Sequence, residues 1–325
     1  MTRVAAFDCG TNSLRLLLAE VDPDSGVMTE LDRRMEIVRL GHGVDRTGRI
    51  DPAAMQRALA VTQRYADLGR AAGVERVRFV ATSASRDAEN RDEFVAGVHA
   101  RLGVAPEVIT GDEEAALSFV GATRGLAARH PAPFLVVDLG GGSTELVLGT
   151  PGALGDAGDT GGVTASISVD IGCVRLAERH LTDDPPPAAC RSAALAEVAA
   201  ALDRAAAAVP LGSARTLVGL AGTVTTVTAH ALGLAGYDRD AIHGAVLPVD
   251  RVLAAATALE RMTRAERAAL PFMHPGRVDV IGAGALVWQQ LVRRVRAAVT
   301  ADGGSLTEVV TSEHDLLDGI VWSMA

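Results

Sequence analysis

The chain has 325 residues, more than one hydrophobic core usually organises, so two domains are expected. A formal net charge of −9 argues against broad capture of nucleic acid, and because all 31 basic residues are arginine, mechanisms that need a lysine are excluded, such as a Walker-type phosphate loop or a Schiff base. The three cysteines lie far apart and no apolar stretch is long enough to span a bilayer, so we expect a cytoplasmic protein without a membrane partner.

The first predicted elements form a hairpin that the chain repeats later. Residues 6–18 read Ala-Phe-Asp-Cys-Gly-Thr-Asn-Ser-Leu-Arg-Leu-Leu-Leu, and residues 136–148 read Val-Val-Asp-Leu-Gly-Gly-Gly-Ser-Thr-Glu-Leu-Val-Leu. Asp8 of the first copy aligns with Asp138 of the second. Each copy reads as a strand, a tight polar turn and a second strand. Such a turn exposes backbone N–H groups that bind phosphate, and two facing aspartates would hold a cation between them.

After this hairpin the pattern changes from antiparallel strands to strands that alternate with helices. Residues 27–40 are expected to continue the sheet, and residues 41–49 to form a polar loop. The other elements predicted in the first half are a helix from Pro52 to Gly73 capped by Asp51, a strand at 76–82, a helix from Asn90 to about Gly103, and a strand at 107–110 that leads into Gly111-Asp112-Glu113-Glu114. This alternation is typical of a mixed sheet covered by helices.

The second half is predicted to repeat the hairpin and then to become mainly helical. Its predicted elements are the hairpin from Phe134, a flexible connection at 149–162, a strand at 163–171, a stiff connection at 183–187, a helix at 188–208, a strand at 216–220, a turn at 221–223 before a further helix, a helical stretch that includes 277–299, a strand at 308–311 and a closing helix at 315–324. Gly282-Ala283-Gly284 lacks the third glycine of a dinucleotide fingerprint, which favours close helix packing. The isolated histidines are expected to be structural.

Motifs distributed along the whole chain complete the pattern. They are residues 8–13, 39–41, 43–48, 81–87, 111–115, 138–145, 172–175, 221–223 and 277–281. In this order they resemble the exopolyphosphatase and guanosine pentaphosphate phosphatase (Ppx/GppA) family in its short two-domain form, within the superfamily of acetate and sugar kinases, heat-shock chaperones and actin. The resemblance implies two actin-like (ribonuclease H-like) α/β domains, with mixed sheets flanked by helices and an active-site cleft between them. The expected domains are residues 1–123 and 124–314, with the C-terminal helix at 315–325 packing back on the first.

The resemblance also implies roles for particular residues. Glu114 would be the catalytic base, a role that suits a carboxylate kept ionised near a helix N-terminus, whereas Glu113 is expected to be structural. Asp138 and Glu145 would position metal and water, because hard oxygen ligands suit Mg²⁺ or Mn²⁺, and Asp8 is a further candidate ligand. The residues expected to hold substrate phosphates are Gly10, Thr11, Asn12, Ser13, Arg86, Gly140, Gly141, Gly142 and Ser143, with Arg15 and Arg46 as weaker candidates.

The predicted activity is metal-dependent hydrolysis of a terminal phosphoanhydride. The substrate would be inorganic polyphosphate, guanosine pentaphosphate or both, since both present the same reacting bond. Three alternatives stay open: an ATP-dependent kinase of the same superfamily, a filament-forming member, and a non-catalytic regulator that binds polyphosphate or an alarmone. A homodimer is compatible with the sequence, whereas a nucleic-acid partner is not expected.

Overall fold

The chain divides into two compact units. The computed structural model describes residues 1–22, 27–151 and 162–325. Unit 1 comprises Met1–Gly121 and Leu316–Ala325, and unit 2 comprises Ala122–Asp315. Most of the connection predicted at 149–162 lies outside the described residues. The exact ends of the predicted domains, at residues 123 and 314, stay a prediction.

Unit 1 is a five-stranded mixed sheet with helices on both faces. Its elements are β1 Thr2–Cys9, β2 Ser13–Asp22, β3 Val27–Ile37, α1 Val44–Thr47, α2 Pro52–Ala71, β4 Arg76–Ala81, α3 Ser83–Arg86, α4 Arg91–Leu102, β5 Glu107–Val108, α5 Gly111–Thr123, whose last residues enter unit 2, and a helix near the C-terminus, Leu316–Trp322. The strand order is β3-β2-β1-β4-β5. Strands β1 to β3 are antiparallel, and β1, β4 and β5 run parallel. The predicted hairpin and the strands at 27–40, 76–82 and 107–110 are confirmed.

Strand β1 has no solvent-facing side, because both faces of the sheet are covered. Phe7 packs in one core cluster with Phe79 and Phe94, whereas Ala6, on the other face, packs in a second cluster with Leu317 and Ile320 of the C-terminal helix. A strand buried on both sides reads as a continuous apolar run, as Val-Ala-Ala-Phe does here. The same alternation places Asp8 on the face of Ala6.

Helix α2 begins and ends as the sequence indicates. The Asp51 carboxylate accepts hydrogen bonds from the amides of Ala53 and Ala54, and Pro52 occupies the first helical position. Asn90 precedes α4 as predicted, but for another reason: its side-chain amide binds the N–H and the C=O of Ile50 and does not cap the helix.

Two short helices of unit 1 were not predicted from the sequence. The segment 41–49, expected to be a loop, contains α1, and α3 follows β4 directly. Each is a single turn, which is too short to produce a helical periodicity in the sequence.

Unit 2 repeats the topology of unit 1. Its elements are β6 Phe134–Leu139, β7 Thr144–Gly149, β8 Val163–Val169, α6 Cys173–His180, α7 Ala188–Ala208, β9 Thr216–Leu220, α8 Ala221–Leu232, α9 Arg239–Ile242, β10 Val246–Pro248, α10 Val249–Arg261, α11 Arg264–Ala268, α12 Ile281–Ala301 and β11 Glu308–Thr311; the C-terminal helix of unit 1 is α13. The order β8-β7-β6-β9-β11 matches β3-β2-β1-β4-β5, and β10 pairs with the outer side of β11. Strands β6, β9 and β11 are parallel. The repeat seen in the sequence is therefore a repeat of the fold.

The predicted elements of unit 2 are mostly confirmed. Helix α7 has the predicted bounds, and β9 and β11 match the strands predicted at 216–220 and 308–311. The turn predicted at 221–223 is wrong, because these residues form the first turn of α8. Helix α12 begins at Ile281, so Arg277 lies before it, in a short 3₁₀ turn. Among the described residues, no helix is both long and apolar enough to cross a membrane.

Candidate functional site

The loop between β1 and β2 has its carbonyl groups engaged on one side. The Thr11 carbonyl accepts a hydrogen bond from the Gly41 amide at 2.8 Å, and the Asn12 carbonyl accepts from the amides of Val38 and Arg39 at 3.0 and 2.8 Å. In a trans peptide the C=O and the following N–H point in opposite directions. The amides of Asn12 and Ser13 therefore point away from the segment 38–41. Within the described chain neither of these amides has a hydrogen-bond acceptor.

The loop between β6 and β7 is held in the same way by a different element. The carbonyls of Gly140 and Gly141 accept from the first amides of α6, those of Cys173 at 3.0 Å and Val174 at 2.9 Å. Arg175 of the same helix donates from Nε to the Gly142 carbonyl at 2.7 Å. By the same peptide geometry the amides of Gly141, Gly142 and Ser143 point away from α6. They too donate to nothing else in the part of the chain that the structure describes.

Each of the two loops has one further hydrogen bond, which closes its own turn. The Gly10 amide donates to the Ser13 carbonyl and the Gly140 amide to the Ser143 carbonyl, both at 3.0 Å. The predicted phosphate-binding residues thus form two separate turns of like geometry, 10–13 in unit 1 and 140–143 in unit 2. Adjacent amides that point the same way form a concave anion-binding site.

The hairpins differ in the side chain that faces the aspartate. Asp8 pairs with Arg15 across β1 and β2, whereas Asp138 pairs with Glu145 across β6 and β7, at the same place in each hairpin. Arg15 donates to Asp8 Oδ2 from Nε at 2.7 Å and from Nη2 at 2.6 Å. One oxygen of the candidate ligand Asp8 is therefore already occupied by an arginine.

The second hairpin places two buried carboxylates opposite each other. Asp138 is 8% exposed and Glu145 1% exposed, and like charges directly opposite in a sheet destabilise it. A divalent cation beside them would relieve this repulsion, and Mg²⁺ takes one or two carboxylates together with waters and substrate phosphates. Among the described residues there is no group of three or more His, Cys, Asp and Glu side chains arranged to hold a metal. Two carboxylates are the kind of donor set that suits an ion which keeps several waters.

Ser168 completes this carboxylate site and was not singled out from the sequence. Its hydroxyl donates to Glu145 Oε1 at 2.7 Å from the neighbouring strand β8. The alternation of Ser166, Ser168 and Asp170 along 163–171 was the signal that could have found it, since residues at every second position share a face. Arg175 was noticed only within the motif 172–175, because α6 itself was not predicted.

Glu114 lies in the first turn of α5 and is tied to Arg86. Arg86 Nη1 donates to Glu114 Oε2 at 2.8 Å and to the Ile109 carbonyl at 2.9 Å. The Glu114 side chain is 10% exposed and that of Arg86 23%. Glu113 instead accepts a hydrogen bond from Arg78 on the exposed side, consistent with the structural role expected for it. The structure therefore joins two of the predicted site residues in one ion pair.

The candidate dinucleotide motif serves packing, as predicted. A Cβ added at Gly282 would lie 2.1 Å from Arg267 Nη2, and one at Gly284 would lie 2.4 Å from Thr223 Oγ1. Both glycines are buried in the first turn of α12. The close approach of neighbouring side chains explains both glycines without a nucleotide.

Comparison with known proteins covers almost the whole chain. The model of the Ppx/GppA phosphatase family matches residues 18–314. Exopolyphosphatase 2 of Mycobacterium tuberculosis is 49% identical over 332 aligned positions, which cover 100% of this chain and 99% of that protein. A solved exopolyphosphatase-like protein superposes with a TM-score of 0.91 at 46% identity, covering 98% of each chain. A family member from Aquifex aeolicus superposes with a TM-score of 0.76 at 28% identity, covering 99% of this chain and 97% of that one. The predicted fold class is confirmed, and the chain belongs to the Ppx/GppA phosphatase family.

Proposed function

We propose that this protein is a metal-dependent hydrolase that releases the terminal phosphate of inorganic polyphosphate. The observation that carries the proposal is the pair of loops with outward-pointing amides, one in each unit. Phosphate oxygens are the acceptors that such adjacent amides bind. The full-length likeness to a protein named Exopolyphosphatase 2 supports polyphosphate as the substrate class. Guanosine pentaphosphate ends in the same phosphoanhydride and is the alternative substrate.

The loops would bind and orient the phosphates. In the transition state of phosphoryl transfer, charge is spread over the equatorial phosphate oxygens, and fixed N–H donors stabilise that charge without reorganising. The amides of Asn12 and Ser13 in one loop and of Gly141, Gly142 and Ser143 in the other are held ready by bonds on their carbonyl side. Catalysis by these groups would therefore consist of positioning and electrostatic stabilisation.

Glu114 would accept the proton of the attacking water. A general base must be correctly aimed, and Arg86 fixes the orientation of the Glu114 carboxylate by donating to Oε2. Attack would be in line with the bond to the leaving phosphate, which departs as the shortened chain.

Asp138 and Glu145 would hold the metal ion, Mg²⁺ or Mn²⁺, with Ser168 fixing the orientation of Glu145. When bound, such an ion neutralises charge on the phosphate oxygens. Asp8 already pairs with Arg15 in the first hairpin, so we propose it only as a secondary candidate ligand of the metal. In this proposal Glu114 of the first unit is the base, and Asp138 and Glu145 of the second unit bind the cation.

The test is release of inorganic phosphate from three substrates assayed side by side. These are short polyphosphate, long polyphosphate and guanosine pentaphosphate, each with Mg²⁺, with Mn²⁺ and with a chelator. The proposal expects metal-dependent release from polyphosphate. Release from guanosine pentaphosphate alone would move the assignment to the alternative substrate. Phosphate transfer to acetate or a sugar with formation of ADP would identify a kinase, and binding without release would identify a regulator.

A further inference from the structure

A second pocket in unit 2 contains a buried arginine that the proposed phosphatase reaction does not use. The pocket, of about 200 Å³, lies between the connection at 181–186, the corner between α10 and α11, and the start of α12. Arg267 lines it and is only 7% exposed. Burying a guanidinium is costly unless its N–H groups find partners.

Arg267 is only partly satisfied by its surroundings. Its Nε donates to the Leu259 carbonyl and its Nη2 to the Glu260 carbonyl, both at 2.9 Å, so it caps the C-terminal end of α10. The remaining nitrogen, Nη1, donates to no residue that the structure describes, and no carboxylate of the described chain lies within ion-pairing distance of the guanidinium. Burial lowers the pKa of Arg267 from its ordinary value, which reflects this incomplete compensation.

The neighbours of Arg267 limit the directions in which Nη1 can donate a hydrogen bond. The guanidinium lies against Gly282, where an added Cβ would lie 2.8 Å from Nη1 and 2.1 Å from Nη2. That side is closed by the backbone of α12, and the α10 carbonyls occupy Nε and Nη2. The pocket that Arg267 lines is the side of the guanidinium that these contacts leave open.

The other lining residues define what could bind there. Leu181, Pro185, Pro186, Ala283 and Leu286 give the pocket an apolar wall. The acidic lining residues are Asp183, Asp184, Glu260 and Asp279, and of these Glu260 is neutralised by Arg191 Nε at 2.5 Å. Arg261 and Arg264 also line the pocket, so with Arg191 and Arg267 its four arginines balance these four carboxylates. A lining without net charge favours a single negative group on an aliphatic body over a multiply charged anion. A pocket of about 200 Å³ has room for a short-chain acid.

We propose that this pocket is a binding site for a small aliphatic monocarboxylate, with the carboxylate accepting a hydrogen bond from Arg267 Nη1. The carboxylate would supply the acceptor that the buried guanidinium lacks, as a charge-assisted hydrogen bond. The aliphatic part would pack on Leu286 and the two prolines. The proposal is independent of the reaction at the paired loops, so it can be tested by binding alone.

The test is calorimetric titration of the whole protein with pentanoate, with pentanamide and with inorganic phosphate. We expect pentanoate to bind at least tenfold more tightly than pentanamide, which has the same shape without the charge. Phosphate, which also binds at the paired loops if the proposed function holds, is expected to leave the pentanoate affinity unchanged. Equal binding of pentanoate and pentanamide, or loss of pentanoate binding in the presence of phosphate, would contradict the assignment.

A variant pair locates the site. Arg267→Gln is expected to weaken pentanoate binding at least tenfold, and Arg251→Gln, which also removes an arginine bound to a helix carbonyl in unit 2, is expected to leave it unchanged. If Arg267→Gln does not fold, hydrogen exchange of the wild-type protein decides the question. Pentanoate must then slow exchange at residues 181–186 and 259–267, and slowing elsewhere with none in these two segments overturns the proposal.

Discussion

Arg86 and Glu114 form an ion pair in which one guanidinium nitrogen, Nη1, donates both to Glu114 Oε2 at 2.8 Å and to the Ile109 carbonyl at 2.9 Å. The arginine expected to bind substrate phosphate therefore also sets the orientation of the proposed base. Because the pair is mostly buried, the Coulomb attraction between Arg86 and Glu114 is less screened than at a surface. We therefore expect Arg86 to affect turnover as well as binding.

Replacing Glu114 by Gln tests the proposed base. The amide keeps an oxygen that can accept from Arg86 but cannot take a proton from water. Turnover should fall by ~10²-fold or more, with substrate affinity nearly unchanged. The matched control is Glu113→Gln. The Glu113 side chain pairs with Arg78 on the exposed side, so its replacement should leave turnover unaltered. Normal turnover in Glu114→Gln would remove this residue from the role.

Replacing Arg86 by Met separates positioning of the base from binding of phosphate. Loss of a charge-assisted hydrogen bond of about 1.5–3 kcal/mol predicts that kcat falls by roughly ten- to a hundredfold. Arg86→Lys should recover part of the loss, since a single donor can still reach Glu114. A rise in KM with kcat unchanged would instead show that Arg86 acts on substrate alone. Arg78→Met, beside Glu113, serves as the control.

Replacing Gly172 by Ala tests the support of the second loop. A Cβ at this position would lie 2.4 Å from the carbonyl of Gly141 and 2.6 Å from the amide nitrogen of Gly142, so the loop must move. We expect affinity for pyrophosphate, measured by calorimetry, to fall at least tenfold. Gly236→Ala, in the same unit with open space around the added methyl, should bind as the wild type does. Unchanged affinity in Gly172→Ala would contradict the assignment of the loop.

The two opposed carboxylates predict how divalent cations affect stability. Mg²⁺ should raise the midpoint temperature of thermal unfolding of the wild-type protein. When the free ion is about a hundredfold above its Kd, binding adds about 2.7 kcal/mol to the free energy of unfolding. Glu145→Gln should lose this response and, in a chelator, be more stable than the wild type by about 0.2–1 kcal/mol, because the like-charge pair is gone. Asp203→Asn, an exposed aspartate on α7, should keep the response. An equal response in Glu145→Gln would place the cation elsewhere.

The sequence was sufficient for the features that depend on local pattern. The repeated hairpins, the caps of α2 and the bounds of α7 follow from alternation, a capping aspartate with proline, and an alanine-rich run. The contacts that hold the loops of the candidate site could not be predicted from local pattern. Arg175, for example, donates to the Gly142 carbonyl from a helix 33 positions further along the chain. Its contact is set by how the loop and the helix pack, and no periodicity within either segment reports it.

The ion pair between Asp318 and Arg33 is expected to contribute to the stability of unit 1. It is fully buried on α13 and accepts hydrogen bonds from Arg33 of β3, from Nη2 at 2.5 Å and from Nη1 at 3.2 Å. Arg33 also pairs with Glu30 Oε2 at 2.8 Å, so Asp318→Ala leaves it with an ionic partner and should cost about 1.5–3 kcal/mol of unfolding free energy in urea, the range for hydrogen bonds to a charged group. Asp32→Ala removes an exposed ion pair one residue away on β3 and should change stability by less than about 1 kcal/mol. Equal stability of the two variants would mean that apolar packing alone holds α13 on the sheet.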